Sequence, residues 1–137
     1  MITTTAEYIL ENFGKGTNVG LLATSGTIQS NVYFDVLRLY GLQIVVPDEI
    51  HQEYIMESIY GESGVKAGYT DGLCKEQILN GVTYLIESEA QVIILGCTEL
   101  PLLFPQTKDL KMNNTSVELI DPTLILAKKV VDLAKPN

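Results

Sequence analysis

With 137 residues, 46% of them hydrophobic, the chain is about one domain long and apolar enough for a single continuous core; a second full domain does not fit. Nine Lys and Arg against 17 Asp and Glu give a formal net charge of −8, which opposes nucleic acid and anionic membrane surfaces as partners. No run reaches the ~20 apolar residues of a membrane-spanning helix, and Met1 to Glu7 lacks the charged and apolar regions of a signal peptide, so the expectation is a soluble, cytoplasmic protein.

In chain order, Thr5 stands where it would cap a helix from about Ala6 to Asn12, with Gly14 and Gly16 ending it. Asn18 to Ala23 is a short apolar run of the kind that forms a parallel strand buried on both faces. The glycines from Gly14 to Gly20 do not form a dinucleotide fingerprint, because they precede the strand instead of following it. After the strand, Thr24-Ser25-Gly26-Thr27 leads into a helix expected to begin near Ile28, and Val32, Tyr33, Val36, Leu37 and Tyr40 recur at helical spacing. Leu42 to Val46 reads as a second strand, and Ile50, Tyr54, Ile55 and Ile59 as another helix.

Gly61 to Gly68 is a glycine-punctuated turn holding Lys66, and Ile78, Leu79, Val82, Leu85 and Ile86 mark the next helix. Val92 to Gly96 and Val117 to Ile120 read as the third and fourth strands. Asp121-Pro122 is a helix-start signal, a capping carboxylate followed by a ring already fixed near helical φ, and Leu124 to Ala134 continues that helix. Strands alternating with helices imply right-handed βαβ crossovers: a three-layer α/β fold with a mostly parallel four-stranded sheet flanked by helices. In such sheets ligands bind at the carboxyl ends of the strands, which directs attention to the residues after Ala23, Val46 and Gly96.

After the first strand, Thr24, Ser25 and Thr27 offer hydroxyls beside free backbone N–H groups at a helix start, which suits a carboxylate or phosphate; the same residues also read as a simple helix cap. After the third strand, Gly96-Cys97-Thr98-Glu99-Leu100-Pro101 delivers a thiol to the sheet edge. Cys97 there serves as base or nucleophile if neighbouring donors lower its pKa, or it is a small buried hydrophobe. Glu99, two residues on, is placed to orient a neighbour or relay a proton, although its charge by itself raises the thiol pKa. Lys66 is a candidate counter-charge for an anionic ligand, or a solvated loop lysine. His51, the lone histidine, allows a Cys97–His51 dyad, but nothing aims it at the strand edge. Cys74 reads as incidental, and its spacing from Cys97 suits neither a zinc site nor a disulfide framework.

Three segments, GLLATSGT (Gly20 to Thr27), GVKAG (Gly64 to Gly68) and GCTELP (Gly96 to Pro101), together with the closing Leu119-Ile120-Asp121-Pro122, resemble the second half of the aspartate racemases within the aspartate/glutamate/hydantoin racemase superfamily. The resemblance spans nearly the whole chain. Glutamate racemases usually carry a histidine where Glu99 stands, which tilts the match toward the aspartate branch. The resemblance implies a flavodoxin-like racemase half and proton transfer at Cα by two cysteines, one on each face of the substrate, with no cofactor and no metal. By position, Cys97 matches the second catalytic cysteine, with Glu99 beside it. Thr27 and Lys66 match substrate-binding positions, and Thr24, Ser25 and Thr98 their surroundings.

The family's first domain, with its own cysteine in a Cys-Asn-Thr motif and an arginine for the substrate side chain, has no counterpart here; neither Cys74 nor Arg38 has the required context. The expected organisation is therefore residues 1–137 as the second racemase domain, with 1–17 as the inter-domain segment and 121–135 as a terminal helix that packs on the absent first domain. The expected ligand is a dicarboxylic amino acid, and the expected assembly a homodimer. The expected isolated chain is a racemase half unable to invert its substrate. The alternative is a non-catalytic carboxylate-binding or dimerising module, and a further one is a cysteine hydrolase built on Cys97 and His51.

Overall fold

The computed structural model describes residues 1–104, 107–112 and 115–134. In chain order its elements are α1 (Ile2–Phe13), β1 (Asn18–Leu22), α2 (Ser25–Gln29), α3 (Val32–Leu39), β2 (Gln43–Val45), α4 (Glu49–Tyr60), α5 (Leu73–Glu87), β3 (Val92–Leu95), β4 (Thr107–Met112), β5 (Thr115–Ile120) and α6 (Pro122–Ala134). The sheet order is β2-β1-β3-β5-β4. The first four of these strands pair in parallel, and β4 adds an antiparallel edge on β5.

Alternation along the strands divides the core. Val19 and Leu21 of β1, Val92 and Ile94 of β3 and Ile120 of β5 face one side, where Ala6 and Ile9 of α1, Tyr33 and Leu37 of α3 and Ile125 of α6 cover them. Leu22, Ile93, Leu95, Val117 and Leu119 face the other, under Ile55 and Ile59 of α4 and Ile78, Val82 and Leu85 of α5. The three-layer α/β architecture expected from the sequence is present, with its four parallel strands.

Several local expectations need correction. Thr5 lies inside α1 and does not cap it; its hydroxyl donates to Met1 O at 3.1 Å. The helix expected from Ile28 is split into α2 and α3 at Ser30 and Asn31, the latter with a left-handed φ of 62°. β2 is an edge strand, its Gln43 exposed and its Ile44 and Val45 half-buried, so it is not covered on both faces. β5 carries a buried carboxylate, Glu118, which accepts from the Tyr8 hydroxyl at 2.7 Å. Of the terminal helix expected over 121–135, α6 accounts for all but Asp121 and residue 135, which lies outside the described residues. No helix among the described residues is long and apolar enough to cross a membrane.

The strand order reverses at β1: the chain goes from β1 to β2 on one side, then returns to β3 on the other. The crevice of such a sheet opens at the carboxyl ends of the two strands flanking that reversal. Leu22 pairs with Leu95 there, and Gly96 N donates to Leu22 O at 2.7 Å. A Cβ at Gly96 would stand 2.9 Å from Leu21 Cδ1, 3.2 Å from Ala23 Cβ and 3.2 Å from Leu22 O. Gly96→Ala is therefore expected to destabilise the fold by about 1–3 kcal/mol through overpacking, read as a lower urea midpoint at unchanged slope.

Candidate active site

Thr24 and Cys97 each lie two residues beyond the Leu22–Leu95 register pair, at the ends of adjacent strands. Beyond Cys97, one short 3-10 turn, Leu100–Leu102, begins with Leu100 N donating to Cys97 O at 3.1 Å. Buried Leu100 anchors that turn in the core below.

Glu99 gathers the site. Its Oε2 accepts from the Cys97 thiol at 2.7 Å and from the Thr98 hydroxyl at 3.1 Å. Its Oε1 accepts from Lys66 Nζ, also at 2.7 Å. Lys66 comes from another 3-10 turn, Val65–Ala67, and its ammonium also lies 5.4 Å from the centre of the Tyr60 ring. The sequence candidates Cys97, Thr98, Glu99 and Lys66 thus form one hydrogen-bonded group.

The electrostatics follow from this geometry. Burial of the half-buried Cys97 and its hydrogen bond to the Glu99 carboxylate push the thiol up to about 11, against opposing pulls from the Glu99 backbone and, more weakly, from Lys66. The bonds from Cys97 and Lys66 hold the Glu99 carboxyl down at about 2, and its partnership with Glu99 raises Lys66. At neutral pH the group is a thiol, a carboxylate and an ammonium. Such a thiol holds its proton at rest: the condition of a lowered pKa is not met, and the Glu99 carboxylate raises the thiol as its charge led one to expect.

Thr24 caps α2, its Oγ1 accepting from Thr27 N at 3.4 Å and lying 3.1 Å from Thr27 Oγ1. The cap is Thr24 itself, not Ser25 or Thr27. Ser25 is held from α4 instead: its N–H points to Met56 Sδ at 3.3 Å and its hydroxyl accepts from Gln52 Nε2, also at 3.3 Å. Gln52 also donates to Ala23 O at 2.9 Å, tying α4 to the end of β1. An open groove of about 770 Å³ runs from Ser25 along α4 to Tyr60, lined by Glu49, Glu53 and Glu57. A much smaller hollow of about 20 Å³ lies at Cys97, walled by Tyr33, Thr98, Asp121 and Met1 among others.

The structure does not join His51 to this group. His51 pairs with Asp48, the cap of α4, at 2.5 Å and stacks on Tyr84 with ring centres 4.5 Å apart. Cys74, at the start of α5, is fully buried, its thiol 3.4 Å from Asp71 O and 3.7 Å from Tyr69 O. Arg38 sits in the last turn of α3. Sequence reasoning missed Gln52, Tyr60, Tyr33 and Asp121 as parts of the crevice. Asp121 was visible as a residue ending a strand, whereas Gln52, Tyr60 and Tyr33 carry no local signal apart from helical spacing. Among the described residues, no group of three or more His, Cys, Asp or Glu side chains is assembled in a way that suits a metal ion.

A thiol, a carboxylate and an ammonium thus meet at the switch point of a mostly parallel α/β sheet. The chain belongs to the Asp/Glu/Hydantoin racemase family, whose model matches residues 1–130. An uncharacterized protein of Pectobacterium carotovorum is 36% identical over 118 residues, 85% of this chain and 72% of its own length. Glutamate racemase of Shewanella sp. (strain ANA-3) is 26% identical over 122 residues, 87% of this chain and 41% of its own. The crystal structure of an aspartate racemase homologue from Pyrococcus horikoshii superposes with a TM-score of 0.75 at 32% identity, covering 97% of this chain and 54% of that one. The chain thus spans about four-tenths of that curated racemase and about half of that solved structure.

Iodoacetamide is expected to alkylate Cys97 slowly at neutral pH, the rate climbing toward a half-point near 11, while Cys74 reacts only on unfolding. Peptide mass mapping across pH reads both. A half-point near neutrality would overturn the reading of Cys97 as a thiol held protonated.

Proposed function

We propose that this chain supplies one acid–base face of an amino-acid racemase of the aspartate/glutamate type, working without pyridoxal phosphate or metal. Cys97 is its catalytic thiol. The observation that carries the reading is the Cys97–Glu99–Lys66 group at the switch-point crevice. On the face it serves, the Cys97 thiol donates its proton to Cα of the carbanion and becomes a thiolate. A base on the opposite face takes the original α-proton, and the reverse reaction exchanges the two roles.

Thr24, Ser25, Thr27 and Thr98 offer hydroxyls to a substrate carboxylate, and Lys66 supplies positive charge. Glu99 in place of histidine supports aspartate over glutamate as the substrate. Two-face chemistry needs two acids, and Cys74, the other thiol of the chain, is sealed in the core. The 137 residues by themselves therefore carry one half of the proton transfer.

Incubating each enantiomer of aspartate with the pure chain in deuterium oxide is expected to give slow α-proton exchange, without inversion, of the one enantiomer whose α-hydrogen faces Cys97, by way of its minor thiolate form and abolished in Cys97→Ser. Inversion that depends on Cys97 overturns the single-face reading, and failure to exchange either enantiomer overturns the catalytic assignment. A second reading, a dimerising module, draws support from α6, where Val130, Val131 and Leu133 are 56%, 55% and 77% exposed. Light scattering showing a monomer removes it.

A further inference from the structure

We infer that Lys66 is a positioning residue: bound to one oxygen of Glu99, it fixes the other as the acceptor of the Cys97 thiol, so that the ligand-free site presents Cys97 as a proton donor. The inference deepens the proposed function, since the thiol's starting state matters to catalysis only if Cys97 transfers protons. Its own test needs no turnover, so the two fail separately.

The geometry separates two roles for the ammonium. In the ligand-free site Lys66 Nζ is directed at Glu99 Oε1, at 2.7 Å, and lies 5.4 Å from the centre of the Tyr60 ring, a role separate from any charge it offers a ligand. The turn that carries it is seated closely: a Cβ at Gly64 would stand 2.9 Å from both Ser58 O and Ile59 O, so only glycine lets this turn pack on the end of α4. Lys66 therefore arrives from a built position, 33 residues from its partner in sequence. Glu99 in turn has one oxygen for the ammonium and one for the thiol and the Thr98 hydroxyl. Pinning the first orients the second.

Further ionisable groups line the hollow at Cys97, Asp121 from the end of β5 and Tyr33 from α3. Burial and Glu99 lead what holds the thiol protonated. A thiol held protonated has a directional consequence. The first event this face performs is donation to Cα, so the resting site is poised for the enantiomer whose α-hydrogen points to the opposite base.

The test is the pH profile of Cys97 alkylation by iodoacetamide in the full chain, with Glu99→Gln, Lys66→Met, Lys66→Arg and Lys66→Met in the Glu99→Gln background. Each tenfold gain in thiolate costs about threefold in intrinsic nucleophilicity, so Glu99→Gln is expected to speed alkylation about threefold near pH ~8. Lys66→Met is expected to speed it too, by freeing Glu99 to turn to water, and Lys66→Arg to restore the slow rate. In the Glu99→Gln background the same Lys66→Met is expected to slow alkylation, because only the loss of a nearby positive charge remains. Slowing by Lys66→Met in both backgrounds, or no change in either, overturns the positioning role, as does a Glu99→Gln rate equal to wild type.

Discussion

The parallel pairing of β1 with β3 closes on a short rung, Gly96 N to Leu22 O at 2.7 Å, and that rung sets the segments carrying Thr24 and Cys97 side by side. The strands' own alternation sends Leu21 to one core layer and Leu22 to the other, so the register cannot slip by one residue without turning both layers inside out. Fixed in that register, β1 ends at Leu22 and β3 at Leu95, and Thr24 and Cys97 follow two residues beyond on adjacent strands. The lack of a side chain at Gly96 is what allows the two strand ends to come this close.

Around that fixed point the electrostatics are local. A chain of net charge −8 repels an anionic ligand overall, yet Lys66 neutralises Glu99 within hydrogen-bonding distance of the thiol. The side chains of Lys66 and Glu99 are 44% and 23% exposed, and ion pairs in such solvent-screened surroundings add little to stability. So small a return assigns the pair to arranging the thiol more than to holding the fold. Buried Glu118 is a different case: the hydroxyl that Tyr8 places against it both satisfies the carboxylate and, with burial, pushes Tyr8 up to about 12.

How much of this was legible in the sequence depends on the range of the interaction. The central strands β1 and β3 were legible because burial on both faces leaves a nearly continuous apolar run, and Cys97 was found by its place just beyond one of them. β4, Thr-Lys-Asp-Leu-Lys-Met, carries too many charges for such a signal and exists because β5 offers an edge to pair with. The break between α2 and α3 was hidden for another reason: the apolar spacing continues past it, while the turn depends on Asn31 accepting a left-handed backbone. Lys66 and Glu99 were each legible as candidates, but their pairing was not. No periodicity connects a turn before α5 to a turn after β3, and only the sheet topology brings them together.

The same topology limits how a ligand reaches Cys97. Both faces of the sheet are filled by the chain's own helices, α1, α3 and α6 on one side and α4 and α5 on the other, so no catalytic group can reach Cα through the layers. Approach is left to the carboxyl edge, where Cys97 occupies one wall and the groove along α4 opens beside it. That groove is lined by Glu49, Glu53 and Glu57, whose charges disfavour a dicarboxylate along α4 and leave the hydroxyls of Thr24, Thr27 and Thr98 as the better seat. In the proposed reaction a ligand held there presents one face of Cα to Cys97 and turns the other away from this domain. In that reading the opposing base approaches from over the edge, on the side of Cα turned away from Cys97.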